Sequence, residues 1–242
     1  MGEHAQHRQL VRAAAPALAL AAVLALAAGP AAAQSCRLAL SLALDVSSSV
    51  DAREYALQNE GLARALTAPD VAAAFLAAPG QAVALHVFEW SGRAQQALRV
   101  DWVEIRSQDD LDAVAARLRA MPRSTAAFPT ALGYAMDYGA RALAERRDCF
   151  AHTLDVSGDG VNNDGPPPEA ARRAPAFDGI TVNGLVVGAT HVTLRTYFER
   201  FVIQGSGAFV EVAEDYSDFE RAMQRKLLRE LDIWVIGQRT DP

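Results

Sequence analysis

Residues Arg37–Leu44 (RLALSLAL) form an almost unbroken apolar run. A strand with one wet face alternates apolar and polar residues, whereas a strand covered on both faces does not. The run therefore predicts a central strand of a mostly parallel sheet, with helices packed on either side. It ends abruptly in Asp45-Val46-Ser47-Ser48-Ser49. Ligands of open α/β sheets bind in the crevice outside the carboxyl ends of the strands. This turn is thus the first place to look for chemistry.

The rest of the chain alternates in the same way. Asp51–Leu66 reads as a helix, with a short continuation over Val71–Leu76. Ala82–Trp90 reads as a strand, and Gln95–Val100 with Trp102 as a shorter, more polar edge strand. Helices are expected over Asp109–Met121 and Pro129–Arg146, the second with Pro129 in its first turn. Phe150–Val156 and Ile180–Val187 are apolar strands, with a short helix after Pro166–Pro168 between them. Helix Leu194–Ile203, strand Ala208–Val212 and a closing helix Asp218–Trp234 complete the series. The expectation is an α/β fold, a doubly wound six-stranded sheet with helices on both faces. A chain of 242 residues that is 51% hydrophobic can bury one large core of this kind.

The N-terminus carries Arg8 and Arg12, an apolar run Ala13–Ala28 broken only by Pro16, and the small residues Ala31-Ala32-Ala33. Those are the parts of a secretory signal peptide over residues 1–33, leaving a single domain at 34–242. The run is short for a membrane span of about 20 residues, so no span is expected in the mature chain. The protein is then exported from a bacterial cytoplasm, to the periplasm or beyond. A formal charge of −6 and the lack of any basic cluster exclude a nucleic-acid partner. Two cysteines, Cys36 and Cys149, permit one disulfide in an oxidising compartment.

Two polar clusters follow apolar strands. Asp45, Ser47 and Ser49 form a D-x-S-x-S pattern, and Asp159-Gly160 lies in the loop after the strand beginning at Phe150. Carboxylates and hydroxyls are hard oxygen donors suited to Mg²⁺. Two hydroxyls and one acid bind metal poorly, so Asp159 and a further hydroxyl, Thr125, are needed to complete the shell. Alternatively, Asp45 and the serines merely cap the following helix. Asp155, alone in an apolar strand, reads as a hydrogen-bonded structural acid. Asn162, Asn163 and Asp164 read as turn formers. His86 and His152 sit inside predicted strands and read as satisfied histidines rather than ligands.

These residues resemble the von Willebrand factor A family across nearly the whole mature chain. Asp45-x-Ser47-x-Ser49 looks like the first part of its metal-ion-dependent adhesion site, Asp159-Gly160 like its aspartate-glycine pair, and Thr125 like its distant threonine. Arg123-Ser124 stands where a pair of glycines is often seen, and Phe128-Pro129 reads as a local insertion, so Ser124 is the fallback for Thr125. The phrases LDVSSSVDAREY, DVSGDGVNN and ITVNGLVV are similar, more narrowly, to an uncharacterised family of exported bacterial proteins related to this fold. The resemblance implies a mostly parallel sheet with one antiparallel edge strand. It also places the first and fourth strands side by side, which brings Cys36 to Cys149. It implies a non-enzymatic module whose Mg²⁺, or Mn²⁺ or Ca²⁺ in its place, takes an Asp or Glu from a partner protein. The alternatives are a metal-assisted hydrolase and a metal-free scaffold of the same fold.

Overall fold

Every residue of the first strand, β1 (Cys36–Asp45), is buried. The structure, a computed structural model, describes residues 36–188 and 191–236, so the expected signal peptide lies outside the described residues. After β1 come α1 (Ala52–Thr67), α2 (Pro69–Phe75), β2 (Ala82–Trp90), β3 (Gln96–Ile105), α3 (Gln108–Ala120) and α4 (Leu132–Leu143). Then follow β4 (Cys149–Gly158), the single turn α5 (Pro168–Ala171), β5 (Ile180–Val187), α6 (His191–Tyr197), β6 (Val210–Ala213) and α7 (Phe219–Ile236). The sheet order is β3-β2-β1-β4-β5-β6. All neighbours are parallel except β3, which runs antiparallel to β2 at one edge.

The two faces of β1 feed two cores. Leu38, Leu40, Leu42 and Leu44 pack with α1, α2, α3 and α7. Ala39 and Ala43 face the other way, towards Leu132 and Met136 of α4 and Phe198 after α6. Small residues on that face let α4 approach closely: a Cβ on Gly139 would stand 2.4 Å from Leu154 Cδ1. Among the described residues no helix is long and apolar enough to cross a membrane.

Three departures from the sequence expectation matter. Helix α4 starts at Leu132, not Pro129, which leaves Thr130 in a loop. Strand β3 runs on to Ile105 through a bulge opposite His86. The expected helix Leu194–Ile203 is α6 followed by one π turn over Phe198–Val202. Asp155, by contrast, is the structural acid it was expected to be. It pairs with the fully buried Lys226 of α7 at 2.8 Å, and Lys226 also meets Glu230 at 2.7 Å. Burial works against the ammonium, but the two carboxylates hold its pKa above the usual value. His86 bonds Ser41 Oγ at 2.9 Å, and His152 bonds the Arg146 carbonyl at 2.8 Å.

At the amino ends of β1 and β4, Cys36 lies opposite Cys149 in the parallel register. Their Cα atoms are 4.5 Å apart and the sulfurs are joined. The bridge closes a loop spanning 113 positions, worth about 3–5 kcal/mol if it acts by restricting the unfolded chain. A Cys36→Ser/Cys149→Ser double variant is expected to unfold at clearly lower urea concentration than the wild type. Coincident unfolding curves would show that the bridge contributes nothing to stability.

Candidate metal site

The turn after β1 is built by backbone hydrogen bonds. Val46 N–H donates to the Trp90 carbonyl at 2.9 Å, which extends the sheet by one residue. Val50 N–H then donates to the Ser47 carbonyl at 3.0 Å and closes the turn. Helix α1 is capped not by the serines but by Asp51, in a reciprocal capping box with Glu54. The polar side chains before Asp51 are therefore not needed as caps.

Those side chains form a chain across two strands. Ser47 N–H donates to Asp45 Oδ1 at 2.7 Å. The hydroxyls of Ser47 and Ser49 are 3.1 Å apart, and Ser49 Oγ donates to Asp159 Oδ1 at 2.7 Å. Asp159 reaches this point because β4 pairs with β1 up to Val156 opposite Ala43, and Gly158 then lies against Asp45. A Cβ on Gly158 would stand 3.2 Å from Asp45 Oδ2, so a larger residue would press on the carboxylate.

The third loop holds two threonines in different settings. Thr125 is half-exposed, and no hydrogen bond ties it or the Ser124 hydroxyl to the other four residues. Thr130 is buried instead, with Oγ1 3.8 Å from where a Cβ on Gly160 would stand. Its backbone is stitched to the loop after β4. Thr130 N–H donates to Asn163 Oδ1 at 2.8 Å, and its carbonyl accepts from the Asn163 N–H at 2.9 Å. Asn163 is thus more than a turn former. The first turn of α4 is pressed onto the same loop, where a Cβ on Gly133 would stand 2.2 Å from the Pro166 carbonyl oxygen. Placing Pro129 in the first helical turn would have put Thr130 inside α4; the helix instead starts at Leu132.

Residues 122–129 wrap the first turn from outside. Arg123 donates to the carbonyls of Val46 and Ser47, both at 2.9 Å, and lies over the Tyr55 ring. The buried Glu89 anchors the loop, accepting from Tyr55 OH and from Ser124 N–H, each at 2.8 Å. Ser48 N–H donates to the Phe128 carbonyl at 2.9 Å. Arg123 and Ser124 therefore clamp this loop onto the first turn and Glu89.

The family model for "Protein of unknown function (DUF1194)" matches residues 35–234. The chain belongs to that family. No curated protein matches the sequence. Among solved structures, the DUF1194 chain is similar to proximal thread matrix protein 1 from the mussel byssus with a zinc-occupied MIDAS motif. The identity is 15% and the TM-score 0.59, over 81% of this chain and 48% of that one, so this chain spans about half that protein's length. It is also similar to a von Willebrand factor type A protein from Catenulispora acidiphila (15% identity, TM-score 0.53, 81% and 43% covered). A third similar structure is the conserved hypothetical protein BatB from Bacteroides thetaiotaomicron (15% identity, TM-score 0.54, 82% and 99% covered). The fold is von Willebrand factor A-like, as the sequence resemblance implied.

In the DUF1194 chain the site is electrostatically unbalanced. Burial, and next the negative charge of Asp159, push the Asp45 carboxyl up to about 7, although the Ser47 donors oppose the shift. Asp45 Oδ2 is buried and has no hydrogen-bond partner. Tyr216, in the turn after β6, has a buried hydroxyl that faces Asp159. Burial, then Asp159 and Asp45, raise its pKa. Sequence reasoning missed this tyrosine, since nothing local marks it. An orphaned carboxylate oxygen, a second acid and converging hydroxyls are what a hard divalent cation needs, so the residues fit Mg²⁺. A different cluster, Cys36, Asp148 and Cys149, has ligand atoms within 4.8 Å of one another, but its sulfurs form the disulfide and are not thiolates.

An acid whose folded pKa is raised binds its proton more tightly when folded. Its stabilising effect is complete below the ordinary carboxylate range and is lost as pH rises towards about 7. Asp45→Asn removes that loss. In EDTA at neutral pH the variant is expected to be more stable than the wild type by about 1–3 kcal/mol, the difference closing as pH falls towards about 4. Denaturant curves at several pH values check this, and a variant that is less stable at neutral pH would contradict it.

Proposed function

We propose that this DUF1194 protein is an exported, metal-dependent protein-binding module. Mg²⁺ would be held by Asp45, Ser47, Ser49, Asp159 and Thr130, with Thr130 taking the place that Thr125 was expected to fill. The observation that carries the proposal is the unpartnered, buried Asp45 Oδ2 beside Asp159. Two acids so placed call for a cation, and all the donors are hard oxygens that favour Mg²⁺ over softer ions. Bound there, the ion would neutralise the two acids and attract a carboxylate brought by a partner.

The surroundings suit a protein partner. Phe128 is 40% exposed and Val161 47% exposed, and both stand on loops that also carry the site. The Phe128 carbonyl is fixed to the turn through Ser48 and Ser91. An apolar rim around a carboxylate-seeking centre favours an Asp or Glu flanked by an apolar side chain. A histidine-assisted serine hydrolase is not favoured, because His86 and His152 are engaged with Ser41 and the Arg146 carbonyl, and the group beside Ser49 is the Asp159 carboxylate, which the proposal uses as a metal ligand. The disulfide supports an oxidising compartment, in keeping with a signal peptide over residues 1–33.

Isothermal titration with Mg²⁺ tests the ligand set. The wild type is expected to show one saturable site, and Asp45→Ala and Asp159→Ala none. Thr130→Ala is expected to weaken binding by about tenfold or more, as losing one charge-assisted ligand of roughly 1.5–3 kcal/mol would, whereas Thr125→Ala leaves it unchanged. A wild type that takes up no Mg²⁺ would refute the proposal, and the reverse order of the two threonine variants would restore Thr125.

A further inference from the structure

Away from the metal face, the antiparallel edge of the sheet carries a second concave site. A cavity of about 260 Å³ opens between β3 and α4. Its walls are Trp102 of β3 and Tyr138 of α4, and His86 of β2 also lines it. His86 is the common neighbour of the other two rings. His86 stacks on Trp102 at 4.9 Å and 28°, and faces Tyr138 at 6.5 Å and 29°.

The bulge in β3 explains how a carboxylate joins them. Leu85 pairs with Val103 and Val87 with Val100, so Asp101 and Trp102 together oppose His86. Side chains of adjacent strand residues normally point to opposite faces, and a bulge re-aims one of them. Both Asp101 and Trp102 accordingly line the cavity, together with Glu145 from the end of α4. Neither Asp101 nor Glu145 has an ion-pair partner among the described residues. The cations here are paired: Arg141, which itself lines the cavity, with Asp137, and Arg146, which lies over Trp102, with Glu104 and Asp148.

We propose that this cavity binds the quaternary ammonium head of a small organic cation. Ring faces attract cations through their quadrupoles, and the two unpaired carboxylates add a long-range pull. A primary ammonium would need acceptors for its N–H groups, which ring faces supply poorly; an alkylated cation has no N–H to satisfy. Burial lowers the His86 pKa to about 4, so the imidazole is neutral at physiological pH and does not repel the ligand. The volume lies below the roughly 300–1,000 Å³ of sites for drug-sized ligands, in keeping with a head group rather than a large molecule.

Choline is the probe, titrated by calorimetry and by tryptophan fluorescence in EDTA, so that the outcome is independent of the metal site. The wild type is expected to bind choline saturably and to bind its neutral isostere 3,3-dimethylbutanol at least about tenfold more weakly. Tyr138→Ala, and separately an Asp101→Asn/Glu145→Gln double variant at the exposed rim, should weaken choline binding while far-ultraviolet circular dichroism stays unchanged. Cosedimentation with phosphatidylcholine vesicles separates the sources: binding to vesicles assigns a lipid head group, and binding to free choline alone assigns a solute. No saturable choline binding, equal affinity for the isostere, or a rim double variant indistinguishable from wild type would each overturn the proposal.

Discussion

The parallel pairing of β1 with β4 sets every distance that matters in this molecule. It is fixed at one end by Cys36 opposite Cys149, and it brings Asp45 against Gly158 at the other. A slip of one residue would turn Leu38, Leu40, Leu42 and Leu44 from one core to the other. The same slip would carry Asp159 away from Ser49. The alternation of leucines with smaller residues along β1, the covalent bridge and the polar turn thus impose one register, and the candidate site inherits its geometry from it.

Much of this was legible in the residues. An unbroken apolar run followed at once by D-x-S-x-S marks a buried strand and its carboxyl end, whatever the rest of the chain does. Asp155 was legible because an acid in such a strand must have a buried partner, and Lys226 supplies it. The third loop was not legible. Pro129 suits a first helical turn, but the Thr130 backbone is engaged by Asn163 of a loop 33 positions away, and α4 starts only afterwards. Long-range hydrogen bonding overrode a local preference. Tyr216 and the bulge opposite His86 were hidden for the same reason, since each is defined by what lies across the fold rather than along it.

The cost of the site is visible in its surroundings. Asp45 is fully buried, one of its oxygens has no partner, and Asp159 adds a second negative charge. Around this the protein places its firmest loop contacts: the Arg123 clamp on Val46 and Ser47, and Glu89 receiving Tyr55 and Ser124. Such a scaffold keeps the two acids close together, as the proposed cation site requires. The aromatic cavity at the β3 edge of the sheet shares none of these residues, so the two proposals stand independently.

A crystal of residues 34–242 soaked in Mn²⁺, with anomalous scattering recorded from the metal, tests the central claim most directly. The expected result is one strong anomalous peak at the carboxyl ends of β1 and β4. The ion should touch the hydroxyls of Ser47, Ser49 and Thr130 at about 2.0–2.4 Å and be joined to Asp45 and Asp159 directly or through one water. A map with no peak at that face, or with an ion that leaves Asp45 and Asp159 unligated, would contradict the account.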